Sequence, residues 1–471
     1  MKIAHATLSI SSARPWRVLL LGLALVATAV ATYRAPLWLE RFGVAGGILI
    51  AVLGTGSLAL VWVAARQRSL LVRRIAWELL AFGACLLAVE TLIAIYRPHV
   101  PTAEAGRQRL ARKIGIPFDS RSISRVVADL RAQGVDAFPG IARGWPRIPQ
   151  VRRELPTGFY PLSHASNASI VECNEDGRYL VYESDEFGFN NPRGLIASGH
   201  LDIGVVGESY ALGHCLPRKQ SLVGIIRRKF PHTATFAMAA TGPLSGLASF
   251  REYIEPLKPS VVVWTVHPFF SDTADDLADP ILQRYWDPSF SQNLMERQDE
   301  TDRYVRAIAI PVQAEADSAA EREIEHAMAG RFWKIPFLPQ FRARITNTFF
   351  ETPHPRPNLG PLVQSLQMAR DTAAGWGGQL VVLLLPTYTD VVKRQSNLTE
   401  RHELLKKALA QMGVPVVEGV ELFRAQRDPA GLFTLRMGNH PTAEGYALLA
   451  QHLVTTIDPA LSAQVARADL K

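Results

Sequence analysis

Three nearly uncharged stretches in the first hundred residues constrain this chain more than any other feature. Val18 to Tyr33 is apolar over 16 residues, Val44 to Ala65 over 22, and Ile75 to Tyr96 over 22 apart from Glu78 and Glu90. A helix crosses a bilayer core with about 20 apolar residues, so the second and third stretches read as membrane spans. The first follows Arg14 and Arg17 and holds the small-residue run "ALVATAVA". It reads as an uncleaved span, with a signal peptide as the alternative.

Charge separates this anchor from the rest. Residues 1 to 100 hold ten Lys/Arg against three Glu and so supply +7 of the net +8. Basic residues beside apolar segments set membrane topology, and an excess confined to them is not a nucleic-acid footprint. The segment "RQRSLLVRR", between the second and third spans, has four Arg in nine residues and no acid. It is expected to stay in the cytoplasm with Arg14 and Arg17, so the chain leaves the membrane beyond Arg97 on the far side. The expected arrangement is a bacterial inner-membrane protein. Its N-terminus is cytoplasmic, residues 1–100 form a three-helix anchor in the lipid bilayer, and the C-terminal domain is periplasmic. Of three cysteines, Cys85 lies in the third span. Cys173 and Cys215 fall outside, where a disulfide between them can persist. Nothing has metal-ligand spacing, and no metal is expected.

Residues 101–200 read as a connector and lead-in. Six prolines between Pro98 and Pro149 interrupt it, around one helical stretch from Ser122 to Ala132, before "RYLVYESDEFGFNNP" gives a strand and a turn. From residue 201 to 471 short apolar strands alternate with amphipathic helices. "DIGVV", "TATFAMA", "SVVVWTV", "QLVVLLLP" and "VPVVEG" are the strands, and the helices include "LVQSLQMARDTAAG" and "AEGYALLAQHLVTTI". That rhythm predicts an α/β fold, a parallel sheet with helices on both faces. Such sheets carry their sites at the carboxyl ends of the strands, where Ser209 follows "DIGVV". An insertion at about 272–359 lacks the rhythm and reads as a lid or a partner surface.

The motif "VVGESYALG" resembles the first block of the SGNH (GDSL-type) hydrolases, and "NHPTAEGYALLA" resembles their last. Upstream, "VECNEDGRYLVYESDEFGFNNP" and "SFREYIEPLKPSVVVW" are similar to a membrane-anchored bacterial subgroup, so the resemblance covers roughly residues 118 to 456. It implies a flavodoxin-like α/β/α domain that hydrolyses or transfers acyl esters without a cofactor. Ser209 would be the nucleophile, His440 the base, and the Ser209 and Gly242 amides the oxyanion donors, with Ala240 the alternative to Gly242. The chain departs from the family pattern in three places. Glu208 stands where the first block has Asp. Phe269 or Phe270 stands near the third-block Asn. Met437 stands at the acid position three residues before the histidine. His267, Asp272 and Asn439, with Glu208, are the candidate auxiliary residues.

The expected function is therefore a periplasmic, membrane-tethered serine esterase or O-acyltransferase acting on envelope or exported polysaccharide. The alternative is a catalytically degenerate domain that binds glycan or scaffolds membrane-protein partners. The topology has a direct test. A reporter fused after Lys471 should be active only if it is of the periplasm-dependent kind, and activity of a cytoplasm-dependent reporter there would refute the orientation.

Overall fold

The computed structural model describes residues 103–141, 158–267, 274–329, 358–393, 396–438 and 440–468. The three apolar stretches of the anchor lie outside them, as do Phe269, Phe270, Asp272 and Asn439. Among the described residues no helix is long and apolar enough to cross a membrane. The chain divides into two units, Met1–His99 with Ala327–Thr352 and Val100–His326 with Pro353–Lys471. Nearly all described residues belong to the second.

In that unit helices α1 (Ala103–Ile114) and α2 (Ile123–Ala132) precede a small sheet of β1 (Ala137–Pro139), β2 (Ser169–Val171) and β3 (Val181–Glu183). Ser122 caps α2, its hydroxyl accepting the Arg125 N–H. β1 pairs parallel with β2, and β2 antiparallel with β3. The α/β part follows. It runs β4 (Ile203–Val206), α3 (Ser209–Leu212), α4 (Leu222–Ile226), β5 (Thr233–Thr235), α5 (Pro243–Ser249) and β6 (Val261–Val266). The insertion contributes α6 (Ala274–Ala278) and α7 (Gln298–Ala329). The chain then returns through α8 (Gly360–Gly375), β7 (Gln379–Leu384), α9 (Ser396–Gln411), β8 (Val416–Glu418), α10 (Gly419–Arg424) and α11 (Ala443–Ala468). The large sheet has the order β5-β4-β6-β7-β8, and every pair is parallel.

The apolar runs explain the layers. Every residue of β4 and β6 is buried. Successive side chains of a strand point to opposite faces, and the core splits accordingly. Ile203, Val205, Val261 and Val263 join one cluster, which holds Leu222 of α4 and Tyr446 and Leu449 of α11. Val206, Val262, Trp264 and Val266 join the other, with Leu247 of α5, Leu366 of α8 and Leu409 of α9. A strand covered on both faces has no polar side, which is why these stretches read as unbroken apolar runs.

The described part of the segment expected as a connector is a folded layer. Phe138, Ile170, Leu180 and Tyr182 of the small sheet share the cluster of Val205 and Tyr210. Two further ties hold it. Asn191 donates from Nδ2 to the Thr235 carbonyl and accepts the Thr235 N–H, both at 2.9 Å. Cys173, just past β2, is disulfide-bonded to Cys215, just past α3. The sequence pattern shows a strand at β3, in "RYLVYESDEFGFNNP", but not β1 and β2, which are three residues long and are completed by partners far along the chain.

The insertion is anchored at its start. Buried Glu252, on the wide turn that prolongs α5, accepts from the Tyr285 hydroxyl at 2.5 Å, the Gln292 N–H at 2.6 Å and the Leu294 N–H at 2.8 Å.

The disulfide spans 42 residues, and a closed loop of that size stabilises by about 4 kcal/mol through the unfolded state. The double substitution Cys173→Ser with Cys215→Ser should lower the unfolding free energy by about that amount in denaturant titrations. An unchanged midpoint would refute it.

Candidate active site

The site is built where β4 ends. Gly207 leaves the strand at φ +152°, and a Cβ there would lie 1.9 Å from Thr265 Oγ1, so only glycine allows the turn to pass so close to β6. Glu208 and Ser209 follow, and Ser209 opens the single turn of α3. Both are buried, Ser209 with 8% of its surface exposed.

His440 comes from the loop just before α11 and meets this turn. Its Nε2 lies 2.7 Å from Ser209 Oγ. Its Nδ1 lies 3.0 Å from Glu175 Oε1, and its backbone N–H donates to Glu175 Oε2 at 2.8 Å. One carboxylate therefore grips both the ring and the backbone of the histidine. Since Nδ1 faces an acceptor, its proton sits there, and Nε2 is left with a lone pair aimed at the serine. Burial works to raise the Glu175 carboxyl, but the charge and hydrogen bonds of His440, with His214, outweigh it and hold the group at about 2.

The acid expected three residues before the histidine is thus supplied from elsewhere. Met437 occupies that position, and Glu175 does the holding from the turn after β2. Glu175 lies in "VECNEDG", a stretch that the family resemblance includes without marking its carboxylates. The cysteine pairing was the available signal, because Cys173 lies two residues before Glu175 and its partner Cys215 six residues after Ser209.

The other expected residues fall as follows. Gly242 precedes α5 and, with Gly207, Glu208, Thr241 and His267, lines a cavity of about 20 Å³, room for one water-sized or methyl-sized group. Ala240 takes φ +57°, uncommon for a residue with a side chain. The loop is fixed at two points. The Thr241 hydroxyl donates to the Gly207 carbonyl at 2.7 Å. Buried Asp276, in α6, accepts the Leu244 N–H at 2.6 Å and the Ser245 N–H at 3.1 Å, capping α5. His267 packs its ring 5.9 Å from that of Tyr210, between it and the cavity, and burial followed by the nearby His440 and His402 lowers it to about 3. It stays neutral, and the carboxylate on His440 is Glu175.

Two more carboxyls border the site. Glu208 Oε2 lies 2.6 Å from Ser209 Oγ. Burial pushes this group up to about 7, against the lowering effect of the Ser209 hydroxyl, the Tyr210 N–H and His214. Glu172 is buried with His214 Nδ1 at 3.3 Å and His164 Nε2 at 3.6 Å. The His214 ring in turn lies 4.8 Å from that of His440. Chemically, the arrangement can take a proton from the Ser209 hydroxyl and return it.

No family model matches the chain, and no curated protein does. Solved structures are similar at a distance. A putative lipolytic protein of the G-D-S-L family from Desulfitobacterium hafniense DCB-2 is 12% identical at a TM-score of 0.31, over 54% of this chain and 98% of that one. A member of the lipolytic G-D-S-L family from Veillonella parvula DSM 2008 is 12% identical at 0.31, over 55% and 98%. A catalytic mutant of an acetylxylan esterase from Geobacillus stearothermophilus is 10% identical at 0.29, over 54% and 93%.

The Glu175 clamp predicts an acid limit to stability. A carboxyl held at about 2 rather than its ordinary 4.5 contributes stability that is fully present above 4.5 and is lost as pH falls through 2. Glu175→Gln should therefore destabilise the chain above pH 4.5, and by less as pH falls from there towards 2. Denaturant titrations from pH 7 to pH 2 should show the two stabilities converging, and curves that stay parallel would refute the clamp.

Proposed function

We propose that this chain is a serine ester hydrolase or O-acyltransferase. The observation that carries the reading is the unbroken line from Ser209 Oγ through His440 to the Glu175 carboxylate, at 2.7 and 3.0 Å. A serine hydroxyl is a weak nucleophile until a base within hydrogen-bond reach takes its proton, and that base works when a third group fixes its orientation. In the first half-reaction Ser209 Oγ attacks the ester carbonyl as its proton passes to His440 Nε2. Glu175 stabilises the imidazolium that forms. The carbonyl's electron pair moves to its oxygen, which the backbone N–H groups of Ser209 and Gly242 receive. Collapse expels the alcohol with the proton from His440 and leaves an acyl-enzyme. Water, or a sugar hydroxyl in transfer, completes the cycle by the same steps in reverse.

The apolar N-terminal stretches support a tethered enzyme, and the Cys173–Cys215 bridge suits an oxidising compartment such as the periplasm. The proposed substrate class is accordingly the acyl esters of envelope or exported polysaccharide. The degenerate, scaffolding alternative rests on two absent residues, the acid before the histidine and the third-block Asn; Glu175 answers the first, and the second position lies outside the described residues.

The full-length protein should release acetate from an activated acetyl ester, and a fluorophosphonate should label Ser209. Ser209→Ala should abolish both. His440→Ala should cost about as much, since residues acting as a unit are not additive, and Glu175→Gln should cost about 10⁴-fold in kcat. Met437→Asp should leave the rate unchanged, because the orienting position is occupied. A parent protein that neither turns over an acyl ester nor takes the label would overturn the proposal.

A further inference from the structure

The Ser209 hydroxyl stands between two groups that both look like acceptors. His440 Nε2 is 2.7 Å away on one side and Glu208 Oε2 is 2.6 Å away on the other. A hydroxyl has one proton to give and lone pairs to receive with. With the Nδ1 proton of His440 held by Glu175, Nε2 needs the serine proton for catalysis. An ionised Glu208 would then compete for that same proton, or, once the proton points to His440, would face an oxygen lone pair at 2.6 Å. We propose that Glu208 carries a proton in the working enzyme and donates its hydrogen bond to Ser209 Oγ, so that the serine proton is directed to His440, and that its ionisation switches the nucleophile off.

This inference rests on the esterase reading above and adds a catalytic residue to it. Tetrahedral geometry at Oγ accommodates the arrangement. Cβ takes one direction, the proton points to His440, one lone pair receives the Glu208 O–H, and the other is free for the acyl carbon. In the attack the Oγ–H bond breaks and the Oγ–C bond forms, and the Glu208 proton stays where it is. The surroundings suit a neutral acid. Glu208 has 2% of its surface exposed, and its Oε1 is buried without a hydrogen-bond partner. A buried carboxyl with no cation bonded to it costs less neutral than charged.

The groups that face Glu208 come from four places. Ser209 and Tyr210 lie on α3, His214 on the turn beyond it, and Tyr446 on α11. His267 and Thr265, at the end of β6, share its cavity. Among them the histidines are the ionisable cations, and neither is hydrogen-bonded to Glu208. Ionised, Glu208 also draws on the Ser209 N–H, the donor proposed for the oxyanion.

The test is the pH dependence of fluorophosphonate labelling in the full-length protein, with acetyl ester hydrolysis measured alongside. The active form holds the proton on Glu208, so the parent should lose reactivity as pH rises through the range of that group. Its alkaline limb should begin near pH 7, where burial has pushed Glu208. Glu208→Gln keeps a donor and cannot ionise, so it should lose the alkaline limb. Above that limb the ratio of variant to parent rates should then rise about tenfold per pH unit. Glu208→Asp should keep an alkaline limb. A parent whose labelling climbs to a plateau and holds it to pH 9 would overturn the inference whether or not the variant folds. So would a Glu208→Gln protein with the parent's alkaline limb. In both cases labelled Ser209 leaves the esterase reading intact, whereas a parent that never labels sinks the two together.

Discussion

The grip of Glu175 on His440 is the interaction on which the rest of the site depends. It joins two pieces of chain 265 positions apart, one on the small sheet and one at the start of the last helix. A carboxylate with 8% of its side chain exposed is costly to bury unless its oxygens are paired. Here Oε1 meets the ring and Oε2 meets the backbone N–H of the same residue, so satisfying the carboxylate and orienting the imidazole are one event. The disulfide from Cys173 to Cys215 brings the Glu175 turn to the Ser209 turn, and the small sheet gives that turn a folded base. Loss of the sheet would strand the carboxylate before it disturbed Ser209.

Three carboxyls lie in or beside the site, and their neighbours push them apart. Glu175 and Glu172 are held low despite burial because histidines face their oxygens. Glu208 is raised because burial outweighs the lowering effect of the Ser209 hydroxyl, the backbone N–H groups and His214 around it. Similar groups in one low-dielectric pocket thus differ in charge near neutral pH.

The remaining positions are set by the backbone. Thr241 is tied to the Gly207 carbonyl, and Asp276 holds the first N–H groups of α5. The loop carrying Gly242 is therefore fixed from the nucleophile turn on one side and from the insertion on the other. The insertion begins by shaping the site, whatever its later residues do.

The sequence by itself determined the α/β architecture. Runs such as "VVVWTV" and "QLVVLLL" are apolar at every position because their strands are covered on both faces, and that pattern is local. It also marked Ser209, Glu208, Gly242 and His440, because a glycine turn after a buried strand and a histidine before a final helix are short-range features. The acid was decided only by tertiary structure. No spacing rule links residue 175 to residue 440, and the family pattern pointed to Met437. Glu175 reaches His440 because three-residue strands, of which only β3 shows in the local pattern, pair into a sheet and a disulfide closes that sheet onto the Ser209 turn. The different states of Glu175 and Glu208 were likewise invisible in sequence, since a carboxyl's charge is set by which groups folding brings to its oxygens.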